Sequence, residues 1–201
     1  MKPVIPIPYI PNLNAEQSRL LQAVIDAHQK AAQVNKNVSS ITFLQAAAGS
    51  GRLEAAMAAA ILTIGHLHAP LTGARWLYEK ATREAILMMV QQGTKVPGFG
   101  NSFHKDKVDP VWDDVLTILR FSFPKVDARL NELVGWMLEA GKPLYPNAAL
   151  FTAAVCSELK IRGGTETSLF VLWRLPMWVD MFTEHWDKPE PEPSRIITTA
   201  Q

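Results

Sequence analysis

The chain has 201 residues, of which 20 are lysine or arginine and 19 are aspartate or glutamate, so its formal net charge is +1. This balance argues against a protein that binds nucleic acid mainly through charge. Hydrophobic residues make up 48% of the chain and charged residues 19%, a composition that excludes an intrinsically disordered chain. The single cysteine, Cys156, excludes an internal disulfide and a metal site built from cysteines, and it is consistent with a reducing, cytoplasmic setting.

A capping-box pair begins the first predicted helix. Asn14 can cap the helix N-terminus, and Gln17 stands three residues later, where its side chain can reach back to the backbone of the cap. The helical pattern extends to about Gln33. Four apolar residues fall on one stripe of this helix and are expected to be buried: Leu20, Leu21, Val24 and Ile25.

The second and third predicted helices are rich in small residues. The second begins at Ser39 or Ser40 and is broken by the sequence GSG at 49–51, and the third covers about 53–64. Two interpretations of the third helix remain open: a tightly packed internal helix, or a helix held between others that include those of a second subunit. In both cases its small side chains would let neighbouring helices pack closely against it: Ala56, Ala58, Ala59 and Ala60.

The rest of the chain also has helical patterns, separated by glycine or proline. Residues 55–71 form the most apolar run, but it is mostly alanine and contains two histidines and a proline, so it is too short and too weakly apolar to span a membrane. No alternating β pattern of useful length and no internal repeat is found, which predicts an all-α fold. The remaining helices are predicted at 73–92, 109–121, 125–140, 147–160 and 165–185.

Four stretches of the chain stand in a characteristic order. They are SSITFLQAAAGSG (39–51) followed by AAMAAAILTIGHLHAPLTGA (55–74), GTKVPGFGNSFHKDKVDP (93–110), PLYPNAALFTAAVCSELKI (143–161) and TSLFVLWRLPMWVDMFTEHW (167–186). In order, they resemble four features of citrate synthases and citryl-CoA lyases. These are the Ser-Thr-Phe and Ala-rich helices with their His-Gly-Gly turn, the Val-Pro-Gly-Phe-Gly-His loop ending in Asp-Pro-Arg, the Tyr-Pro-Asn-Val-Asp segment, and the late arginine helix.

This resemblance implies an all-α citrate synthase-like fold with a truncated large lobe and a homodimeric assembly. The large, dimerising lobe would comprise residues 1–69 and 161–201, and the small lobe residues 70–160. A coenzyme A (CoA) thioester and an organic acid would bind in the cleft between the lobes. No metal, nucleic acid or membrane is expected among the partners.

Chemistry of this kind passes through an enol of the thioester. It requires a carboxylate base, a hydrogen-bond donor for the enol oxygen and a group that polarises the keto carbonyl. By the resemblance, His68 stabilises the enol; the alternative is a histidine packed in a helix-end turn. Asn101 occupies the position of the carbonyl-polarising histidine and cannot transfer a proton. His104 can take over that role if it swings into the site; the alternative is a solvent-facing loop histidine.

Three further positions concern the acid and its base. Val111 stands where the family has the arginine of Asp-Pro-Arg, and Ala149 where it has the catalytic aspartate. Arg174 matches the arginine that binds the substrate carboxylate. The alternative for Arg174 is a structural ion pair with Glu166 or Asp180, because an arginine between apolar helix neighbours needs an anion.

The loop VPGFG resembles the one whose backbone contacts the adenine of CoA in the family. Glycine suits this task because the main chain must come close to a flat ring. Lys105 falls near a family arginine that meets a CoA phosphate; the alternative is a solvated basic loop. The candidate CoA residues are therefore Val96, Pro97, Gly98, Phe99, Gly100 and Lys105.

Two functions from different classes remain open. The first is an enzyme with altered chemistry, either an acyl-CoA-dependent synthase or a lyase of the citryl-CoA type. The second is a catalytically inactive dimer that binds CoA or an organic acid, or has a regulatory role. A purely structural dimer without a ligand would require His68, Arg174 and the glycine loop to be retained by accident.

Overall fold

The computed structural model describes residues 12–34, 38–64, 69–101, 103–105 and 107–186. Within these ranges the chain forms nine α-helices, a short 3-10 helix at Pro110–Trp112 and no β-strand, which confirms the all-α prediction. The α-helices are α1 Ala15–Val34, α2 Val38–Ser50, α3 Leu53–Leu62, α4 Leu71–Lys80, α5 Arg83–Gln91, α6 Asp113–Ser122, α7 Pro124–Glu139, α8 Ala148–Glu158 and α9 Glu166–Trp186. None of these helices is both long and apolar enough to cross a membrane.

Helix α1 begins with the predicted capping box. The backbone N–H of Asn14 donates to Gln17 Oε1 at 3.1 Å, and the N–H of Gln17 donates to Asn14 Oδ1 at 2.9 Å. The predicted stripe is confirmed, since Leu20, Leu21 and Val24 are fully buried and Ile25 is 8% exposed. Each such side chain contributes about 1.5–3 kcal/mol by leaving water, so this stripe anchors α1 in the main core.

The single helix predicted over 73–92 is wrong, because two helices, α4 and α5, occupy this stretch. The backbone turns to an extended conformation at Ala81, and the hydroxyl of Thr82 then caps α5 by accepting from the N–H of Ala85 at 3.3 Å. Arg129, from α7, donates to the carbonyl oxygens of Tyr78 at 2.9 Å and Ala81 at 2.7 Å. An arginine distant in sequence thus hydrogen-bonds the carbonyl groups at the end of α4, and local periodicity cannot reveal such a contact.

Helices α2, α3 and α9 build a second, smaller core. Phe43 of α2 stacks on Trp178 of α9 with ring centroids 5.8 Å apart. In α3, Ala56 and Ala60 are fully buried, whereas Ala58 on the opposite face is exposed. The interpretation of α3 as a helix buried on every side within its own chain is therefore wrong.

An ionic network ties the start of α9 to α4. Arg75 donates to Glu79 at 2.7 Å, to the carbonyl of Ile161 at 2.8 Å and to Glu166, which is 1% exposed. The second oxygen of Glu166 accepts from the N–H of Gly164 at 2.8 Å. These contacts hold the N-terminus of α9 beside α4, while the division into lobes at residues 70 and 160 stays a prediction.

Candidate functional site

Arg174 of α9 is a buried cation, with 3% of its surface exposed. Its guanidinium carbon lies 4.1 Å from the ring centroid of Phe170, one helical turn earlier, and Nη1 donates to Ser39 Oγ at 3.3 Å. Its Nε–H has no hydrogen-bond partner among the described residues. Burial lowers the pKa of Arg174 to about 9, so the guanidinium is still charged at neutral pH.

The predicted alternative for Arg174, an ion pair with Glu166 or Asp180, is wrong. Glu166 pairs with Arg75 instead, and Asp180 is exposed on α9. Among the ranges that the structure describes, no carboxylate lies within ion-pair distance of Arg174. The guanidinium is held by an aromatic face and a hydroxyl, so its positive charge is not neutralised there.

His28 of α1 adjoins Arg174 and was missed by the sequence analysis. The imidazole is fully buried, and its Nε2 lies 2.7 Å from Thr152 Oγ1. Because the Thr152 hydroxyl donates to the carbonyl of Ala148 at 2.7 Å, Nε2 carries the proton and donates to Oγ1. The other ring nitrogen, Nδ1, is then an acceptor, and it has no partner among the described residues.

The surroundings of His28 hold it in the neutral form. Its ring centroid lies 4.7 Å from that of Phe170, 5.2 Å from that of Trp112 and 5.3 Å from that of Trp173. Burial, and to a lesser degree the charge of Arg174, lower the pKa of His28 well below its usual value. We call His28, Phe170 and Arg174 the Arg174 centre.

Two orphaned nitrogens give the Arg174 centre its chemical character. Leaving a buried polar atom unpaired costs about 1–3 kcal/mol, so both Arg174 Nε–H and His28 Nδ1 favour a polar partner. One is a charged donor and the other a neutral acceptor.

The sequence contained a signal that His28 would be buried, namely its spacing. His28 stands seven residues after Leu21 and therefore on the buried stripe of α1.

We expect the neutral state of His28 to appear in the pH dependence of stability. In the unfolded chain the imidazole binds a proton below pH about 6.5, whereas the folded state keeps it neutral. Stability should therefore be complete above that pH and fall below it, with this group contributing up to about 1.4 kcal/mol per pH unit. Urea unfolding at pH 7.5, 6.5 and 5.5 should show a shallower fall in His28→Gln, and equal slopes would contradict the assignment.

The VPGFG loop is held by main-chain contacts with residues 145–147. The carbonyl of Gly98 accepts from the N–H of Asn147 at 2.9 Å, and the N–H of Gly100 donates to the carbonyl of Tyr145 at 2.9 Å. The carbonyl of Gly100 accepts from Asn147 Nδ2 at 3.0 Å. These three groups are occupied inside the protein, and contact between this backbone and adenine stays a prediction.

Gly98 has a packing reason to be glycine. Its φ is +82°, and a Cβ there would lie 2.8 Å from Leu150 Cβ and 3.2 Å from Ala74 Cβ. The neighbouring side chains of Val96 and Phe99 are buried in the main core. Close approach to α8 and α4 therefore explains the glycine without a ligand.

A cavity of about 480 Å³ lies beside this loop, between the starts of α4 and α9. Of the predicted CoA residues only Pro97 lines it, whereas Lys95, which the sequence analysis overlooked, lines it and Lys105 does not. Most of its wall is apolar. The lining residues are Ala69, Pro70, Leu71, Thr72, Gly73, Met89, Thr94, Lys95, Pro97 and Thr167.

Asn101 and His104 both face the buried carboxylate of Asp109. The side-chain amide of Asn101 donates to Asp109 Oδ2 at 3.2 Å, and its oxygen accepts from the N–H of Phe103 at 2.9 Å. His104 Nε2 lies 3.6 Å from Asp109 Oδ1, which also accepts from the N–H of Val111 at 3.1 Å. The structure thus brings Asn101 and His104 together around Asp109, while His68 lies outside the described residues.

Ala149, which the resemblance aligns with the family aspartate, is buried in an apolar cluster. It is 2% exposed and packs with Leu71, Ala74, Ala153 and Phe170. Leu71 also lines the cavity, and Phe170 belongs to the Arg174 centre. Hydrocarbon therefore fills the space around Ala149, between the cavity and the Arg174 centre.

Two solved structures share this arrangement of helices. Citryl-CoA lyase from Hydrogenobacter thermophilus superposes with a TM-score of 0.72 over 92% of this chain and 75% of its own, at 20% sequence identity. The chain has a citrate synthase-like fold. Citrate synthase from Thermotoga maritima MSB8 also superposes with a TM-score of 0.72, at 20% identity, over 94% of this chain and 55% of its own. No protein-family model and no curated protein matches the sequence.

Proposed function

We propose that this citrate synthase-like chain binds a CoA thioester and an organic acid and does not carry out ordinary citrate formation. The observation that carries the proposal is Arg174, a buried charged guanidinium without a carboxylate partner among the described residues. Such a charge favours an anionic ligand. The acid would bind at the Arg174 centre and the thioester in the cavity, on opposite sides of the Ala149 cluster.

The cavity suits the chemistry of CoA. Its apolar side chains, including Met89 and Pro97, match the methylene and methyl groups of the pantetheine arm, which is long and uncharged. Lys95 on its rim can meet a phosphate. The first turn of α4, with Thr72 and Gly73 in the wall, adds the partial positive charge of a helix N-terminus.

A second candidate function is an active enzyme with altered chemistry, a synthase or a lyase of the citryl-CoA type. The observation that favours it is the pairing of His104 with the buried carboxylate of Asp109 at 3.6 Å. A carboxylate can orient an imidazole, which is the arrangement of a general acid or base. His104 would then replace the missing carboxylate base.

We also propose that the chain forms a homodimer through α2, α3 and the adjoining face of α9. Leu62 is 86% exposed and Val38 53% exposed, and Ala58 is exposed as well. Large apolar side chains exposed on a monomer favour association. Other exposed apolar side chains on these helices are Ile41, Ile61, Leu172 and Val179.

Native mass spectrometry in the presence of CoA tests the ligand and the assembly together. We expect a dimer that carries up to two CoA molecules. Lys95→Glu should weaken CoA binding by roughly tenfold, because a phosphate contact is lost and a like charge is introduced. A monomer at micromolar concentration would contradict the dimer, and the absence of any CoA adduct would contradict the proposed ligand.

The matched control is Lys105→Glu, which makes the same charge change on the same loop outside the cavity. We expect this variant to bind CoA nearly as well as the unmodified chain. If Lys105→Glu loses affinity and Lys95→Glu does not, CoA binds along residues 101–107 and the cavity is not its site.

A further inference from the structure

We propose that the Arg174 centre binds an acid with a single carboxylate and a neighbouring hydroxyl group, and that it discriminates against dicarboxylates. This inference rests on the proposed function and specifies its organic acid. The supporting observation is that two buried side chains, Arg174 and His28, both contact the ring of Phe170 and each have an orphaned nitrogen, Nε in Arg174 and Nδ1 in His28.

Charge is the first constraint on the ligand. At neutral pH Arg174 carries one positive charge, and burial keeps His28 neutral by lowering its pKa well below the usual value. One carboxylate therefore balances the centre. A second carboxylate would be buried without a cation from the described residues, and an unpaired buried charge opposes binding strongly.

The surroundings of the Arg174 centre are the second constraint on the ligand. His28 is surrounded by the aromatic rings of Trp112, Phe170 and Trp173. Val111 precedes Trp112 and packs its aliphatic side chain against the main core. The part of the ligand that points away from Arg174 thus meets hydrocarbon, which suits an alkyl group in place of a second carboxylate.

Hydrogen bonding is the third constraint on the ligand. Arg174 Nε–H donates, and a carboxylate oxygen accepts. His28 Nδ1 accepts, because Nε2 donates to Thr152, so its partner must bring a hydrogen. A hydroxyl next to the carboxylate provides that hydrogen, whereas a keto oxygen leaves Nδ1 without a partner.

Isothermal titration calorimetry with three acids of the same chain length tests the inference. Malate differs from 2-hydroxybutyrate by a carboxylate in place of a methyl group, and butyrate differs by lacking the hydroxyl. We expect 2-hydroxybutyrate to bind at least about tenfold more tightly than malate and about three- to tenfold more tightly than butyrate. Malate binding as tightly as 2-hydroxybutyrate would overturn the single-charge argument, and butyrate binding equally well would overturn the role of His28.

Two substitutions test whether the acid binds at Arg174. Arg174→Met should abolish measurable binding of 2-hydroxybutyrate, whereas Arg162→Met, which removes an exposed charge in the turn before α9, should leave it unchanged. Unaltered binding by a folded Arg174→Met protein would overturn the proposal. If Arg174→Met does not fold, the three-acid series on the unmodified chain still decides.

A CoA titration on the same preparation separates the two proposals. Binding of CoA without binding of any of the three acids would overturn this inference and leave the CoA site standing. Binding of neither CoA nor acid would overturn the proposed function as well. Binding of 2-hydroxybutyrate alone would support the Arg174 centre while contradicting the CoA site.

Discussion

Replacing Ala149 with aspartate is expected to destabilise the folded chain by about 2–4 kcal/mol at neutral pH. Ala149 is 2% exposed and its neighbours are apolar, so a carboxylate introduced there would lose its hydration without gaining a described partner. By the resemblance, this position corresponds to the base of citrate synthases, so the carboxylate that would restore the base is expected to oppose folding here.

The pH dependence of this variant has a defined sign. Burial raises the pKa of a carboxyl group, so the folded state of Ala149→Asp should bind a proton more tightly than the unfolded state does. The loss of stability should therefore be smallest below pH about 4 and should grow as the pH rises to the folded-state pKa. Urea unfolding of the variant and the unmodified chain at pH 4 and pH 7 measures this difference.

Ala128→Asp is the matched control, because Ala128 is an exposed alanine within α7, which is not one of the helices proposed for the dimer. Its cost should remain within about 1 kcal/mol, the range of helix propensity, and should not follow the same pH dependence. Equal losses in the two variants would show that the surroundings of Ala149 accommodate a carboxylate, and the hydrocarbon barrier between the cavity and the Arg174 centre would be refuted.

Turnover of acetyl-CoA with oxaloacetate is expected to be absent or far below one per second, the lower end of ordinary enzyme rates. A positioned general base contributes about 10²–10⁴-fold, and none stands at Ala149. Asn101 cannot supply an imidazole, and its amide is already bonded to Asp109. Val111 contributes only its backbone N–H to Asp109 and cannot hold a second carboxylate of oxaloacetate.

A thiol-release assay compares the unmodified chain with the triple variant Ala149→Asp, Asn101→His and Val111→Arg. Turnover near one per second in the unmodified chain would contradict the assignment of these three positions. Activity that appears only in the triple variant would support a scaffold that kept its cleft and lost its catalytic groups. A folded but inactive triple variant would indicate that the cavity and the Arg174 centre no longer bring thioester and acid together.

Local signals in the sequence predicted most of the helices. The capping pair of Asn14 and Gln17 and the stripe that includes Leu20 and Val24 lie where the pattern places them. Both depend on neighbours within one or two turns, which periodicity can read. The break between α4 and α5 has a local signal, the cap at Thr82, which was overlooked, and a distant one, Arg129, about 50 residues away, which no local pattern can reveal.

The residues of the candidate site were likewise only partly predictable from the sequence. Arg174 was found by resemblance, and its need for an anion followed from its apolar helix neighbours. His28 was overlooked because its importance depends on Thr152 and Arg174, which join it only through the packing of α1 against α8 and α9. The glycines of the loop do not by themselves indicate a ligand, since Gly98 is required by its contact with Leu150 whether or not a ligand binds.

A crystal structure of the chain saturated with CoA tests the central claim most directly. The account predicts CoA in the cavity between α4 and the start of α9, with its pantetheine arm against Pro97 and a phosphate near Lys95. CoA bound at any other place, with the cavity unoccupied, would contradict it.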